Sequence, residues 1–257
     1  VAKVAVDITA KDAVAARTAG LAQAERRAMR ILFARIVPGD VQPHLPELSQ
    51  EDIQGLITGI AVRKERTSTT RYIASLDVRF DPYAVRQLLA EHAIPIIEDR
   101  APSISILPLI LSADGVHEGR EEGWRQAWEA LDLAHSITPA SLVRPRPDLA
   151  AATVKGALAG DIDAMASMRS AYGYGGLVIA AGAIEGSELR VRLFGDDAVG
   201  SVSLEGVHPA DAPLEAAAAA FAALETRWKT IHEGDALPEA NGYQQEDQDG
   251  TYVLRAR

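Results

Sequence analysis

Apolar and polar residues alternate through "VAKVAVDITA", residues 1–10, as they do along a half-buried strand. The period then changes to that of a helix in "KDAVAARTAGLAQAERRAMRILFARIV". Val14, Leu21, Ala24, Ala28, Ile31 and Leu32 fall on one face, with Arg17, Arg26, Arg27 and Arg30 mostly off it. Asp12 or Thr9 caps its start, and Pro38-Gly39 ends it. After the Pro-rich "VQPHLPEL", Ser49 with Asp52 three residues on forms a loose capping box for a short helix. "IAVRKERTSTTRYIASLDVRF" reads as a hairpin turning at Arg66–Thr70, with Tyr72, Ala74, Leu76, Val78 and Phe80 on one face of its second strand. Asp81 followed by Pro82 then starts a helix: the carboxylate suits unpaired first-turn amides, and proline at the first helical position has no amide to leave unpaired.

From Pro102 the pattern restarts. "SISILPLIL" (103–111) is a continuous apolar run, as in a central strand. An amphipathic helix follows in "EEGWRQAWEALDLA", then a second Pro-rich loop, "TPASLVRPRPDL". Two short helices come next, with Asp148 and Asp161 as caps. "GLVIAAGAIEGSELRVRLFGDDAVGSVSLEGV" predicts three strands with turns at Glu185-Gly186 and around Gly195-Asp196. The last helix carries Leu214, Phe221, Leu224, Trp228 and Ile231 on one stripe, and Gly234 stands just past its end. The expected fold is α+β, with two small α/β-sandwich domains. Residues 1–100 have the order β-α-α-β-β-α and residues 101–234 the order β-α-α-β-β-β-α. Residues 235–257 read as a polar linker and the start of a further strand, "TYVLRAR".

Charge divides the chain at the same place. Residues 1–100 carry 14 basic and 13 acidic groups, whereas residues 101–234 carry 10 and 18. The net charge of −10 argues against a general nucleic-acid binder, which needs a basic face. No apolar run reaches membrane-spanning length, and no signal peptide is visible. The chain begins at Val1 and is expected to be a mature or trimmed form whose natural sequence continues beyond Arg257. There is no cysteine, which fits an oxidising compartment.

Several segments resemble a proteobacterial envelope family known as domain of unknown function 2066. They are "VDITAKDAVAARTAGLAQAERRAM", "RYIASLDVRFDPYAVRQLL", "ISILPLIL", "AWEAL" and "YGYGGLVIAAGAIEGSELRVRL". The resemblance covers most of residues 4–230. The first half is also similar to the amino-terminal module of FlgT-type proteins, and the second to the amino-terminal domain of TolB-type proteins. The resemblance implies a periplasmic location and a third domain downstream, and it supplies no catalytic residue.

Candidate chemistry is sparse. The six histidines lack metal-ligand spacing and have no cysteine to join them. Asp114, His117 and Glu118 form the best local cation cluster, against the plainer reading of a solvated loop. The glycines of "YGYGGLVIAAG" precede a strand, whereas a phosphate cradle follows one, so a helix end leading into a strand is expected. Trp124 and Trp128, four apart on one helix, form either a stacking platform for a partner or sugar, or core packing. Arg144 and Arg146 in "RPRP" form either an anion grip or an exposed loop. No catalytic residue, cofactor or metal is expected. The leading reading is a non-enzymatic periplasmic scaffold that contacts an envelope protein partner. The alternative is a module binding a small glycan or anion in the interdomain cleft. A hydrolase is the third reading, without a visible nucleophile–base pair.

Overall fold

The computed structural model describes residues 1–113, 115–146, 151–173 and 175–232. Asp114, Asp148, Tyr174 and Gly234, and the linker and strand expected over 235–257, lie outside them.

The fold is α+β, built on two separate sheets. In the first half the elements are β1 (Val4–Thr9), α1 (Ala13–Ile36), α2 (Gln50–Gly55), β2 (Ile57–Thr67), β3 (Arg71–Phe80) and α3 (Pro82–Glu91), the order read from the sequence. The sheet is antiparallel with strand order β1-β3-β2. Alternation puts Tyr72, Ala74, Leu76 and Val78 on the covered face, where they pack with Val4, Val6 and α1. The opposite face carries Arg71, Ile73, Ser75, Asp77 and Arg79.

α1 turns a different stripe inward from the one its large residues indicate. Ala16, Gly20, Ala24 and Ala28 are buried, whereas Val14 is 76 % exposed. The cause is Tyr72: a Cβ on Gly20 would lie 2.6 Å from the Tyr72 ring, so only small residues let the helix sit this close to the sheet.

The caps follow the sequence. Asp12 accepts a hydrogen bond from the Ala15 amide at 2.7 Å, and Ser49 with Asp52 closes a complete capping box. Asp81 accepts from the amides of Tyr83 (2.9 Å) and Ala84 (3.3 Å), with Pro82 at the first helical position. Asp81→Ala is therefore expected to cost about 1 kcal/mol, and Asp81→Ser much less, because a serine hydroxyl caps the same amides. Thermal melts of the two variants check this, and equal melting points would rule out the capping role.

The second half contains β4 (Ile104–Ser112), β5 (Gly115–His117), α4 (Trp124–Ala130), β6 (Ala140–Leu142), α5 (Ala151–Leu158), α6 (Ile162–Tyr172), β7 (Leu177–Glu185), β8 (Glu188–Asp196), β9 (Ser201–Pro209) and α7 (Pro213–His232). All four helices read from the individual segments are present, one more than the abbreviated order β-α-α-β-β-β-α shows, and β5 and β6 are short strands that it does not contain. β4 is central, as its apolar run predicts: it pairs in parallel with β7 and β6 and antiparallel with β5. β7, β8 and β9 continue the sheet antiparallel. α4 and α7 cover one face, and α5 and α6 the other, so the sheet has a core on each side. The turn expected around Gly195-Asp196 falls later, at Asp197–Gly200. Gly195 itself stays in β8, opposite Val178. On α7, Leu214 and Ile231 are exposed, and alanines take their place in the core.

Candidate functional site

Two places in the fold gather groups capable of function: the junction between the halves, and the free edge of the second sheet.

The junction is centred on Arg35, in the last turn of α1, with a side chain about 10 % exposed. Its guanidinium donates to Asp132 Oδ2 (3.0 Å), the Asp132 carbonyl (3.1 Å) and the His135 carbonyl (3.3 Å), and lies 3.8 Å from Glu225 on α7. Asp132 also accepts from the Ala2 amide at 2.7 Å and contacts His135 Nδ1 at 2.6 Å. The Ser136 hydroxyl donates to Glu225, and Lys229 reaches the Ala34 carbonyl at the end of α1. Lys3 spans to the Glu129 carbonyl in the last turn of α4 and to the Leu131 carbonyl just past its end. It does so from a left-handed backbone, φ 57°, an uncommon conformation for a residue with a Cβ.

Burial pushes the Asp132 carboxyl up, but the Ala2 amide, His135 and Arg35 outweigh it and hold the group below the usual range. Glu225 goes the other way, because burial outweighs the Ser136 hydroxyl, Arg35 and Lys229. The fold thus favours ionised Asp132, whose stabilisation is present above the unfolded pKa and lost as pH falls through the depressed folded value. It favours protonated Glu225, whose stabilisation is complete below the ordinary glutamate pKa of about 4.3 and lost as pH rises through the raised one. Glu225→Gln is expected to flatten the decline in stability with rising pH. Asp132→Asn is expected to flatten the decline toward acid. Denaturant midpoints between about pH 3 and about pH 8 test both signs.

Clefts open on two sides of this junction. One, about 360 Å³, has apolar walls including Leu32, Ile36, Val85 and Ile97, with Arg86 and Arg100 on its lining. These cations are engaged: Arg86 with Glu98 at 2.6 Å, and Arg100 with the carbonyls of Ala134 and Ser136. The other, about 850 Å³, lies between β1 and the helices α4 and α7. His135 has the orientation of a base held by a carboxylate, yet the adjacent Ser136 hydroxyl is committed to Glu225 and is not aligned as its nucleophile.

The second place is β9. Among the described residues it pairs only with β8, in an unbroken register from Glu188↔Pro209 to Asp196↔Ser201. The sequence "SVSLEGVHP" holds no lysine or arginine and no bulge. β2, an edge of the first sheet, is the opposite case: it has Arg63, Lys64 and Arg66 and two register shifts, the usual safeguards of an exposed edge. Beside β9, on the α7 side, a pocket of about 220 Å³ is lined by Leu193, Leu204, Gly206, Ala219 and Ala223 among others.

The residues singled out from the sequence lie elsewhere. Trp124 and Trp128 are fully buried, 5.7 Å apart and edge to face; Trp124 donates to the Ala180 carbonyl and Trp128 packs on Phe221. Neither has surface to offer, which corrects the platform reading. Arg146 donates to the Ala171 carbonyl at the end of α6, and the Tyr172 hydroxyl ties the same loop to the Arg144 carbonyl. The loop is thus fastened to a helix end, with the Arg146 guanidinium engaged there, and Arg144 is exposed. Asp114 of the cation cluster lies outside the described residues, and Glu118 turns to Arg120 at 2.6 Å. Among the described residues no group of three or more acidic or histidine side chains is placed to hold a metal ion, and no helix is long and apolar enough to cross a membrane. The sequence reading missed Arg35, Asp132 and Glu225. A weak signal existed for Arg35, an arginine followed by Ile36 and Val37 where a helix turns apolar. No family model matches this chain, and no curated protein matches it either.

Proposed function

We propose that the protein is a non-enzymatic periplasmic envelope scaffold that works by protein–protein contact, and that β9 is its docking edge. In this reading residues 1–100 and 101–234 are two α+β domains of the family it resembles, held in one relation by the Arg35 cluster. The observation that carries the proposal is the unguarded β9. A nine-residue edge without lysine, arginine, a bulge or an internal proline, and with Glu205 as its one acidic group, is a template for strand addition, and such edges persist where something pairs with them. The absence of cysteine supports the oxidising compartment. The test is a photoreactive residue at Val207, which is 51 % exposed on β9, activated in intact envelope. A discrete adduct, lost when the same residue is placed at Val14 on the opposite half, is expected. Equal labelling from both positions would remove β9 as the docking edge.

A second reading rests on the cleft of about 360 Å³, whose apolar walls and arginine lining suit a small amphipathic anion. It requires Arg86 or Arg100 to leave its present partner. Titration with a medium-chain carboxylate, read by the melting temperature, separates it from the first.

A further inference from the structure

We infer that the occupant of the β9 edge is an extended segment of a partner protein in which apolar and basic residues alternate, added as one more strand. This rests on the reading of β9 as a docking edge and specifies the chemistry that the edge selects.

The main chain supplies the first requirement. An edge strand turns the amide and carbonyl of every second residue away from its neighbour, and β9 offers these over nine residues in continuous register. The α7 side supplies the second. A strand added about 4.8 Å beyond β9 would turn every other side chain toward Ala219 and Ala223. There α7 carries alanines in place of large residues, and the pocket of about 220 Å³ stands beside Leu204 and Gly206. Ala219 is exposed. The layer of sheet and helix is thus wider on the helix side than the strands fill, and its lining of Leu193, Leu204, Ala219 and Ala223, with His208 beside them, favours apolar side chains there.

The opposite face supplies the third. Ser201, Ser203, Glu205 and Val207 are exposed there, and Glu205 meets Arg192 at 2.7 Å while remaining 61 % exposed. β8 adds Arg190 and Arg192 to the same face, each held by a carboxylate, Glu185 and Glu205, which leaves Glu205 as the acidic group nearest the edge. Side chains on that face of the added strand are favoured when basic, as cross-strand neighbours of Glu205. A second copy of this chain does not meet the requirement through the same edge, because its own β9 has no lysine or arginine.

The experiment uses the full chain and two end-blocked eight-residue peptides, one alternating valine with lysine and the other valine with glutamate. Binding is read by fluorescence anisotropy, and amide hydrogen exchange locates the site. The lysine peptide is expected to bind at least about tenfold tighter than the glutamate peptide, a difference of about 1.4 kcal/mol, and to protect amides of residues 201–209. Ala219→Leu, which fills the pocket from an exposed position, is expected to weaken it about tenfold. Glu205→Lys is expected to remove the preference between peptides. Both variants are checked for an unchanged melting temperature. Equal affinity for the two peptides, or protection away from β9, would overturn the inference, as would indifference to both variants. Protection of the outward β9 amides in the free monomer would assign the edge to this chain itself, and their protection only in a dimer would assign it to a second copy; either result overturns a partner strand. The Val207 adduct does not depend on peptide chemistry, so a docking edge with a different occupant would show as an adduct without lysine preference.

Discussion

Arg35→Ala is expected to lower the unfolding free energy by about 3–5 kcal/mol, the cost of removing one partner from a buried ionic cluster. The magnitude follows from what stays behind. Asp132 and Glu225, with side chains 7 % and 14 % exposed, lose their shared cation. The carbonyls of Asp132 and His135 lose a donor as well. Burial already raises Glu225 against the pull of Arg35, so the variant drives it toward the protonated form and part of the cost is recovered at low pH. Combining Arg35→Ala with Glu225→Gln is expected to cost less than the sum of the two single changes, because both act on one cluster. Denaturant unfolding at pH 7 measures the loss. A change under about 1 kcal/mol would mean that the junction is solvated and the cluster no stronger than a surface pair.

Gly195→Ala is expected to exceed about 4 kcal/mol or to prevent folding, among the largest effects of any single substitution. Gly195 has φ +131°, and a Cβ there would sit 2.0 Å from the Leu177 carbonyl oxygen and 3.4 Å from Val178 Cα. The obstacle is main chain in the neighbouring strand, so no rotamer change relieves it. β7 would have to move away from β8 where Val178 opposes Gly195, with fully buried Leu177, Val178 and Ile179 attached. Gly200 is the control. Its φ is +128°, but nothing lies within 4 Å of its would-be Cβ, so Gly200→Ala carries only backbone strain of about 1–3 kcal/mol. Similar losses for the two variants would show that the carbonyl contact adds nothing to the strain.

The parts of the fold visible in the sequence are those determined over a few residues. Asp81-Pro82, Ser49 with Asp52, and the alternation from Tyr72 to Val78 each act on adjacent atoms, and the structure repeats them. Close approach is less visible. The inward stripe of α1 is set by the room that Tyr72 leaves, so Gly20 and Ala24 face in while the larger Val14 faces out. Gly195 reads locally as a turn residue, yet its conformation answers to the Leu177 carbonyl in another strand. The junction was least visible, since Arg35 meets Asp132 97 residues later and no local pattern links them. Even the edge of β9 needed the sheet order, because nothing in "SVSLEGVHP" says which strand comes last.

The Arg35 cluster also has a place in time. In chain order the first sheet has all its strands by Phe80, because β1, β2 and β3 pair only with one another. Arg35 at that stage has neither Asp132 nor Glu225, and Lys229, which clasps the carbonyl beside it, belongs to the last described helix. The end of α1 therefore starts as a hydrated cation: residues 132–135 bring the carboxylate and the two carbonyls that replace most of its water, and α7 adds Glu225 and Lys229 last.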